Sequence, residues 1–508
     1  MTSGPPEVSA AAPDRNKALL GVFAIVLALA FASWNIRSWP TSLRYPGEHA
    51  DIEGMRLAEM VHLSQGIPIY AQPSAERFDA AIYGPLYYLL GSRIIDASQP
   101  AYFPLRLISV LATLGCAACC GVLAYWLSKS RVAAVLAPLL FLSYGFAARL
   151  GASARADSLA ALLAFGGLLV AYRGQHSRAI LCSVPLMLAA FFYKQQYVAG
   201  PLAVALFLLL QGRVRAAVQF IGLMSIGVLA MVGIFQFVVF PGQEFLQHFV
   251  SFNRVPFSWP HFAHAGLWFF GLVLLVPLLM GLEFLRVHRI LLLGCYLGCA
   301  VFLGLVTVAK IGSDTHYWFE CVLILSALVA ALVAEKIASD RSPADVIILL
   351  AMMVFVAQFF VPPAPRPDAF APDRAIQDFL RRRFPPQTRV FTRYAGDVIR
   401  ASLDVPISDL DQYLYLASTG KFSLGEQEAL LRAHRYGAVV LNFDIQLQNN
   451  PKVRVTGFPE PWVLAILEGY EEIGSLEMPG PEKVFEDDRF HVWVPRSGQE
   501  EPNRTSSH

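Results

Sequence analysis

Long apolar runs broken by short charged turns fill most of the first 362 positions, and after them the pattern turns to mixed amphipathic segments. A membrane-crossing helix needs ~20 mainly apolar residues, and by that measure about eleven stretches qualify. They are 18–35, 104–127, 132–148, 157–172, 178–193, 197–211, 215–240, 264–285, 289–309, 316–335 and 344–362. Residues 36–103 are the longest polar interruption. Within them Leu57, Met60, Val61 and Ser64 fall on one helical face, with Gly66 as a stop signal. That spacing predicts a helix lying along the membrane surface, and a second amphipathic segment follows over Pro85–Ile95. Residues 241–263 form another polar break, rich in aromatic residues suited to lipid headgroups or an acceptor. Pro362-Pro363-Ala364-Pro365-Arg366-Pro367 reads as a stiff extended linker. Beyond it, helical patterns near 371–383 and 424–436 and strand-like runs at Arg389–Thr392, Ala438–Phe443 and His491–Val494 predict a small α/β domain.

Composition agrees with this division. Of 508 residues, 56% are hydrophobic and only 15% charged, an excess that marks a polytopic α-helical membrane protein. The net charge of +2 gives no indication of a nucleic-acid partner. The chain lacks a glycine-rich phosphate loop in a strand-turn-helix setting, which argues against a soluble nucleotide-dependent enzyme. All seven cysteines lie in apolar runs, so Cys116-x-x-Cys119-Cys120 reads as small residues at helix contacts, not as a metal motif. Their absence from the long loops fits exposure to an oxidising compartment without a disulfide. The apolar stretch from Ala18 to Trp34 has no small-x-small cleavage site after it and is read as a retained first span.

Short-loop charges set the orientation. With the N-terminus cytoplasmic, Arg15, Lys17, Lys129, Arg131, Arg173, Arg178, Arg213, Arg215, Arg286, Arg289, Lys336 and Arg341 lie inside. Only Arg149, Arg155, Lys194, Arg254 and Lys310 lie opposite. The excess of inside cations puts the 36–103 loop outside, and an odd number of spans puts the tail there too. Two parts result: a transmembrane region over 1–362 and an extracytoplasmic soluble domain over 363–508.

The charged groups at the outer ends of the spans are candidates for chemistry, because charge at membrane depth is costly unless paired or used. The acids are Glu48, Asp51, Glu53 and Asp157. Transfer of a sugar to a hydroxyl needs a carboxylate to take the hydroxyl proton, or a carboxylate pair to hold a divalent ion. Asp51 and Glu53 fall in the first turn of the predicted loop helix, where the helix dipole favours an anion. The bland alternatives are an N-cap for Asp51, solvated loop acids for Glu48 and Glu53, and a helix cap paired to Arg155 for Asp157. The cations are Arg106, Arg149, Arg155, Lys194 and Lys310. Together they suit a phosphate leaving group at the membrane surface, although each alone could simply snorkel. His316 and Asp314 lack a second histidine at ligand spacing, so a metal centre there is disfavoured.

Four features carry a resemblance: the acidic first outer loop, Tyr83-Gly84-Pro85-Leu86-Tyr87-Tyr88, Arg155-x-Asp157, and Lys310-x-Gly312 before Tyr317. Together they resemble the GT-C fold glycosyltransferases, in particular the bacterial protein-mannosyltransferase-like and lipopolysaccharide-core transferases. The resemblance covers residues 15–360 in topology and the first loop most specifically. It implies a polyprenyl-phosphate-linked sugar as donor and an acceptor glycan, lipid or protein at the outer face of the inner membrane, with inversion at the anomeric carbon. It assigns the base to Glu53 or Asp51 and matches Asp157 to the acid of the second outer loop. Arg106, Lys194 and Lys310 match the phosphate contacts. Glu48, Tyr83, Tyr87, Arg155, His316 and Tyr317 are the further substrate-binding candidates. Some members of the family bind a divalent metal such as Mg or Mn and others do not, so the resemblance leaves metal dependence open. Two other classes compete: a transporter or flippase of lipid-linked saccharides, and a non-catalytic envelope-assembly scaffold. A transporter is disfavoured because the charges cluster at span ends and no repeat is apparent.

Overall fold

The computed structural model describes residues 15–49, 52–310, 315–339, 348, 350–352, 354, 370–421, 423–445, 458–477 and 489–496. The expected proline-rich linker and most of the 344–362 stretch lie outside these residues. So do Asp51 and Asp314.

Six helical stretches among the described residues are long and apolar enough to cross a membrane, or seven if one broken pair counts as a single span. Of the eleven stretches expected from hydropathy, three are short helices and the 344–362 stretch lies mostly outside the described residues, so the count of eleven is not confirmed. Helix α1 (Arg15–Ile36) continues through α2 (Trp39–Arg44), and Lys17–Arg44 is one 28-residue candidate span. In the first loop lie α3 (Ile52–Ser64) and α4 (Pro85–Ile94), and α5 (Phe103–Ser128) is the next long span. Helices α6 (Arg131–Ser143) and α7 (Gly145–Gly151) are bent by 80° at their junction. Helix α8 (Asp157–Gly174) follows. The apolar helices Arg178–Tyr193, Ala199–Leu210 and Leu291–Thr307 are each too short to qualify. Hydropathy alone cannot separate a short buried helix from a span, because both are apolar on every side.

The Phe319–Ala338 helix is the centre of the bundle, buried along nearly its whole length against α5, α6 and the Leu275–His288 helix. Helix Val214–Ile234 is peripheral, and Leu229 is 70% exposed on it, as suits a lipid-facing surface.

Residues 370–496 carry a four-stranded sheet of β1 (Val390–Thr392), β2 (Ala438–Leu441), β3 (Tyr470–Glu477) and β4 (Arg489–Pro495), in the order β1-β2-β4-β3. Strands β1 and β2 run parallel, with Val390 opposite Ala438, and the remaining pairs are antiparallel. Three strands fall where the sequence pattern predicts them. Strand β3 was not foreseen, because its Tyr-Glu-Glu-Ile-Gly-Ser stretch lacks an apolar run. Trp462, Tyr436 and Phe391 form the core under the sheet, and Phe78 of the first loop joins that core.

This C-terminal segment is docked on the first loop. The Phe78 amide donates to Pro406 O at 2.8 Å, and the Ser408 amide donates back to Phe78 O at 3.0 Å. Arg77 pairs with Asp404 at 2.9 Å and Arg389 with Glu76 at 2.7 Å. The docking changes the character of α3. A helix resting on a membrane surface should keep one face wet, yet every residue from Glu53 to His62 is buried. Its polar face is covered by protein and paired within the first loop, with Arg106 of α5 and with Asp409 of the C-terminal segment.

Candidate active site

Three groups of side chains meet where the first loop crosses the ends of the bundle. The first is built on Glu53, in the opening turn of α3. Both of its oxygens are used. Oε2 accepts from Arg106 at 2.5 Å and from the His49 amide at 2.8 Å. Oε1 accepts from the Ala154 amide and from Arg106 Nε. Arg106 is equally enclosed, donating to the carbonyls of Ser42, Tyr45 and Gly47. Neither side chain has exposed surface. Burial pushes the Glu53 carboxyl up, but Arg106 and the converging N–H donors outweigh it and hold it at about 2. Beside it, burial and then Arg106 push His49 down to about 4, so its ring is neutral at pH 7. Glu48 accepts from the Gly54 amide at 2.9 Å and the Gly396 amide at 3.0 Å, joining α3 to the C-terminal segment. A side chain at Gly54 or Gly396 would collide with the Glu48 carboxylate, which explains glycine at both places.

The second group is centred on Asp157 at the start of α8. Lys194 Nζ donates to its Oδ1 at 2.6 Å, and Arg155 Nε lies 3.3 Å from its Oδ2. Arg155 also reaches His316 Nδ1 at 3.4 Å, and the His316 ring packs on Tyr317 with centroids 4.4 Å apart. Tyr197 donates its hydroxyl to the Asp157 carbonyl. The aromatic signature of the first loop closes over this cluster. Lys194 Nζ sits 4.8 Å from the Tyr83 ring centroid, and Tyr83 packs edge-on against Tyr87. Tyr87 donates its hydroxyl to Ala154 O. Gly84 allows this close approach, since a Cβ there would lie 2.0 Å from the Phe192 carbonyl oxygen. Arg155, Tyr317 and Gln195 keep partial exposure, so the cluster has an accessible edge.

The third group was not anticipated. Arg56, two turns short of the end of α3, donates to Glu59 at 2.6 Å, to Asp409 at 2.8 Å and to Tyr88 at 3.1 Å. Its guanidinium lies 5.3 Å from the Tyr83 ring, so Tyr83 contacts both Arg56 and Lys194. Asp409 also caps the Leu410–Ser418 helix by accepting from the Gln412 amide. Next to them His62 pairs with Asp79 at 2.9 Å. Burial, only partly offset by Arg56, pushes Glu59 up to about 7. The charged stripe Glu53, Arg56, Glu59 at spacing three was the one sequence signal for this network. It reads equally well as a solvated helix face until its partners are in view.

The sequence candidates therefore divide. Asp157, Arg155, Lys194, His316, Tyr317, Tyr83 and Tyr87 come together in one cluster. Glu53 and Arg106 form a separate enclosed pair, bridged to the cluster by the 154–155 backbone. Glu48 is engaged at the junction with the C-terminal segment. Lys310 is half-buried at a backbone bridge to Phe257, and burial lowers its pKa. Among the described residues no group of three His, Cys, Asp or Glu side chains could hold a metal. Glu53 and Asp157, the two acids nearest the cluster, are paired with Arg106 and with Lys194 and Arg155.

Neither a family model nor a curated protein matches this chain. Solved structures do. ArnT from Cupriavidus metallidurans bound to undecaprenyl phosphate matches with a TM-score of 0.58 at 12% identity, over 96% of this chain and 99% of that one. The same protein in its apo state matches with a TM-score of 0.58 at 11% identity, over 92% and 97%. The Archaeoglobus fulgidus oligosaccharyltransferase in its apo form matches with a TM-score of 0.51 at 13% identity, over 96% of this chain and 77% of that one. At these identities the likeness is one of fold alone, the fold this chain shares with ArnT and with the archaeal oligosaccharyltransferase.

Proposed function

We propose that this protein is a multi-pass membrane glycosyltransferase that moves a hexosyl or pentosyl group from a polyprenyl-phosphate donor to an acceptor hydroxyl. The N-terminus is cytoplasmic, and the first loop and C-terminal segment lie on the outer face of the inner membrane. The first-loop signature supports substrates like those of the protein-mannosyltransferase-like and lipopolysaccharide-core branch. The observation that carries the reading is the Arg155–Asp157–Lys194–His316 cluster under Tyr83, in a chain with the fold of a protein that binds undecaprenyl phosphate. Contact between the first loop and the C-terminal segment supports their sharing one side of the membrane.

In this reaction the acceptor oxygen attacks the anomeric carbon as the bond from that carbon to the phosphate oxygen breaks, with inversion. A carboxylate takes the acceptor proton, and polyprenyl phosphate departs as an anion. Lys194 and Arg155 offset the charge that develops on the phosphate, and Asp157 positions both. Tyr83 and Tyr317 supply aromatic faces for the sugar. Between the two first-loop acids, Glu53 is occupied by four donors, so the base is Asp51. Glu53 then acts as a positioning residue that anchors the first turn of α3.

The test is sugar transfer from polyprenyl-phosphate donors in proteoliposomes. Asp51→Asn should lower turnover by about a hundredfold or more while the thermal melt stays near wild type, and Lys194→Ala should lower turnover as far but also the melt, because it removes a cation from the buried Asp157 carboxylate. Full activity in a folded Asp51→Asn protein would remove the base assignment. No turnover by wild type with any polyprenyl-phosphate sugar would remove the reaction.

A further inference from the structure

A polar cavity of about 320 Å³ lies away from the Asp157 cluster. It opens between the end of the first span, the start of α5, and the Phe370–Arg383 helix. Four arginines from three elements line it. Arg44 ends α2, Arg374 and Arg381 stand on the Phe370–Arg383 helix, and Arg400 ends the Ala395–Arg400 helix. Among the described residues Asp378 is the one acid in its lining, 3.7 Å from Arg381. Two of the arginines are held in place: Arg381 donates to Arg400 O at 2.6 Å, and Arg400 donates to Pro100 O at 3.3 Å. Tyr102 also lines the cavity, and its buried hydroxyl has no hydrogen-bond partner among the described residues.

Such a concentration of like charge is unfavourable unless an anion compensates it. Its position says which anion. Arg44 is the last residue of one candidate span and Phe103 the first of the next. Phe103 lines the same cavity and is 47% exposed. Guanidiniums at span ends beside exposed apolar surface match a phosphate group with acyl chains attached.

We infer that this cavity binds the phosphate headgroup of an anionic phospholipid, seating the C-terminal segment on the membrane surface. The lipid phosphate lies among Arg44, Arg374 and Arg381, and its acyl chains run down the Phe103 face of α5. The site is independent of the transfer chemistry proposed above.

The experiment is native mass spectrometry of the full-length protein in detergent, titrated with phosphatidylglycerol and phosphatidylcholine of matched chains. Wild type should prefer phosphatidylglycerol by about tenfold, allowing for screening of the exposed charges. The variant Arg44→Gln/Arg374→Gln/Arg381→Gln should bring the preference to about twofold or less. Should the triple variant fail to fold, the exposed single substitution Arg374→Glu must weaken phosphatidylglycerol binding several-fold. Equal binding of the two lipids by wild type overturns the inference, as does an unchanged preference in a folded variant. Displacement of phosphatidylglycerol by low-millimolar inorganic phosphate also overturns it, by making the cavity a soluble-anion site.

Discussion

Substituting Glu53 separates an anchoring role from a chemical one. Each of its four partners is a donor, two from Arg106 and two from backbone amides. Glutamine is nearly isosteric but offers one acceptor oxygen, so its amide group must face a donor wherever it points. It also leaves the Arg106 guanidinium without a counter-ion at a site with no solvent exposure. Breaking a buried ion pair from one side costs about 3–5 kcal/mol, and Glu53→Gln should fall in that range. Arg106→Met strands the carboxylate and also deprives the Ser42, Tyr45 and Gly47 carbonyls of their donor, so it should cost about 5 kcal/mol. The double variant Glu53→Gln/Arg106→Met removes both charges, and its cost should be less than the sum of the singles by about 2–3 kcal/mol. Thermal unfolding in detergent, followed by tryptophan fluorescence, measures all three. The pair also has a pH signature. The folded carboxyl titrates near 2 against 4.5 for a free glutamate, so its contribution is complete above pH 4.5 and lost as the pH falls toward 2. A Glu53→Gln protein that melts within about 1 °C of wild type but has lost transfer would refute the anchoring role and return Glu53 to the chemistry.

Other sites give further tests. Arg56→Met should destabilise by about 3–5 kcal/mol, since it leaves Glu59 and Asp409 buried without a cation. Asp409→Asn should loosen the C-terminal segment, read as faster proteolysis of residues 370–496 with the membrane bundle intact. Gly84→Ala should cost about 1–3 kcal/mol or more and depress activity, because its methyl meets the Phe192 carbonyl; a wild-type melt would show that the two segments can part. His49 titrates near 4 when folded and 6.5 when free, so it favours unfolding as the pH falls from 6.5 to 4, by at most about 3 kcal/mol. His49→Gln should flatten the stability profile in that window, and an unchanged slope would count against a buried neutral imidazole.

The sequence alone determined the membrane class, the long first loop with its two helices, and two of the helices and three of the strands of residues 370–496. These follow from local pattern: continuous apolar runs, spacing of three and four, and short β-branched runs. It also picked out Arg155, Asp157 and Lys194, since charge at the end of an apolar run is conspicuous wherever the chain goes. Only the tertiary structure decided how many apolar stretches are long helices, because burial by protein and burial by lipid select the same residues. The roles of the first-loop charges were likewise hidden. Glu53 meets Arg106 across 53 residues, and Arg56 meets Asp409 across 353. A charged helix face looks solvated in sequence, and it becomes a buried network only when a distant segment folds over it with matching charges.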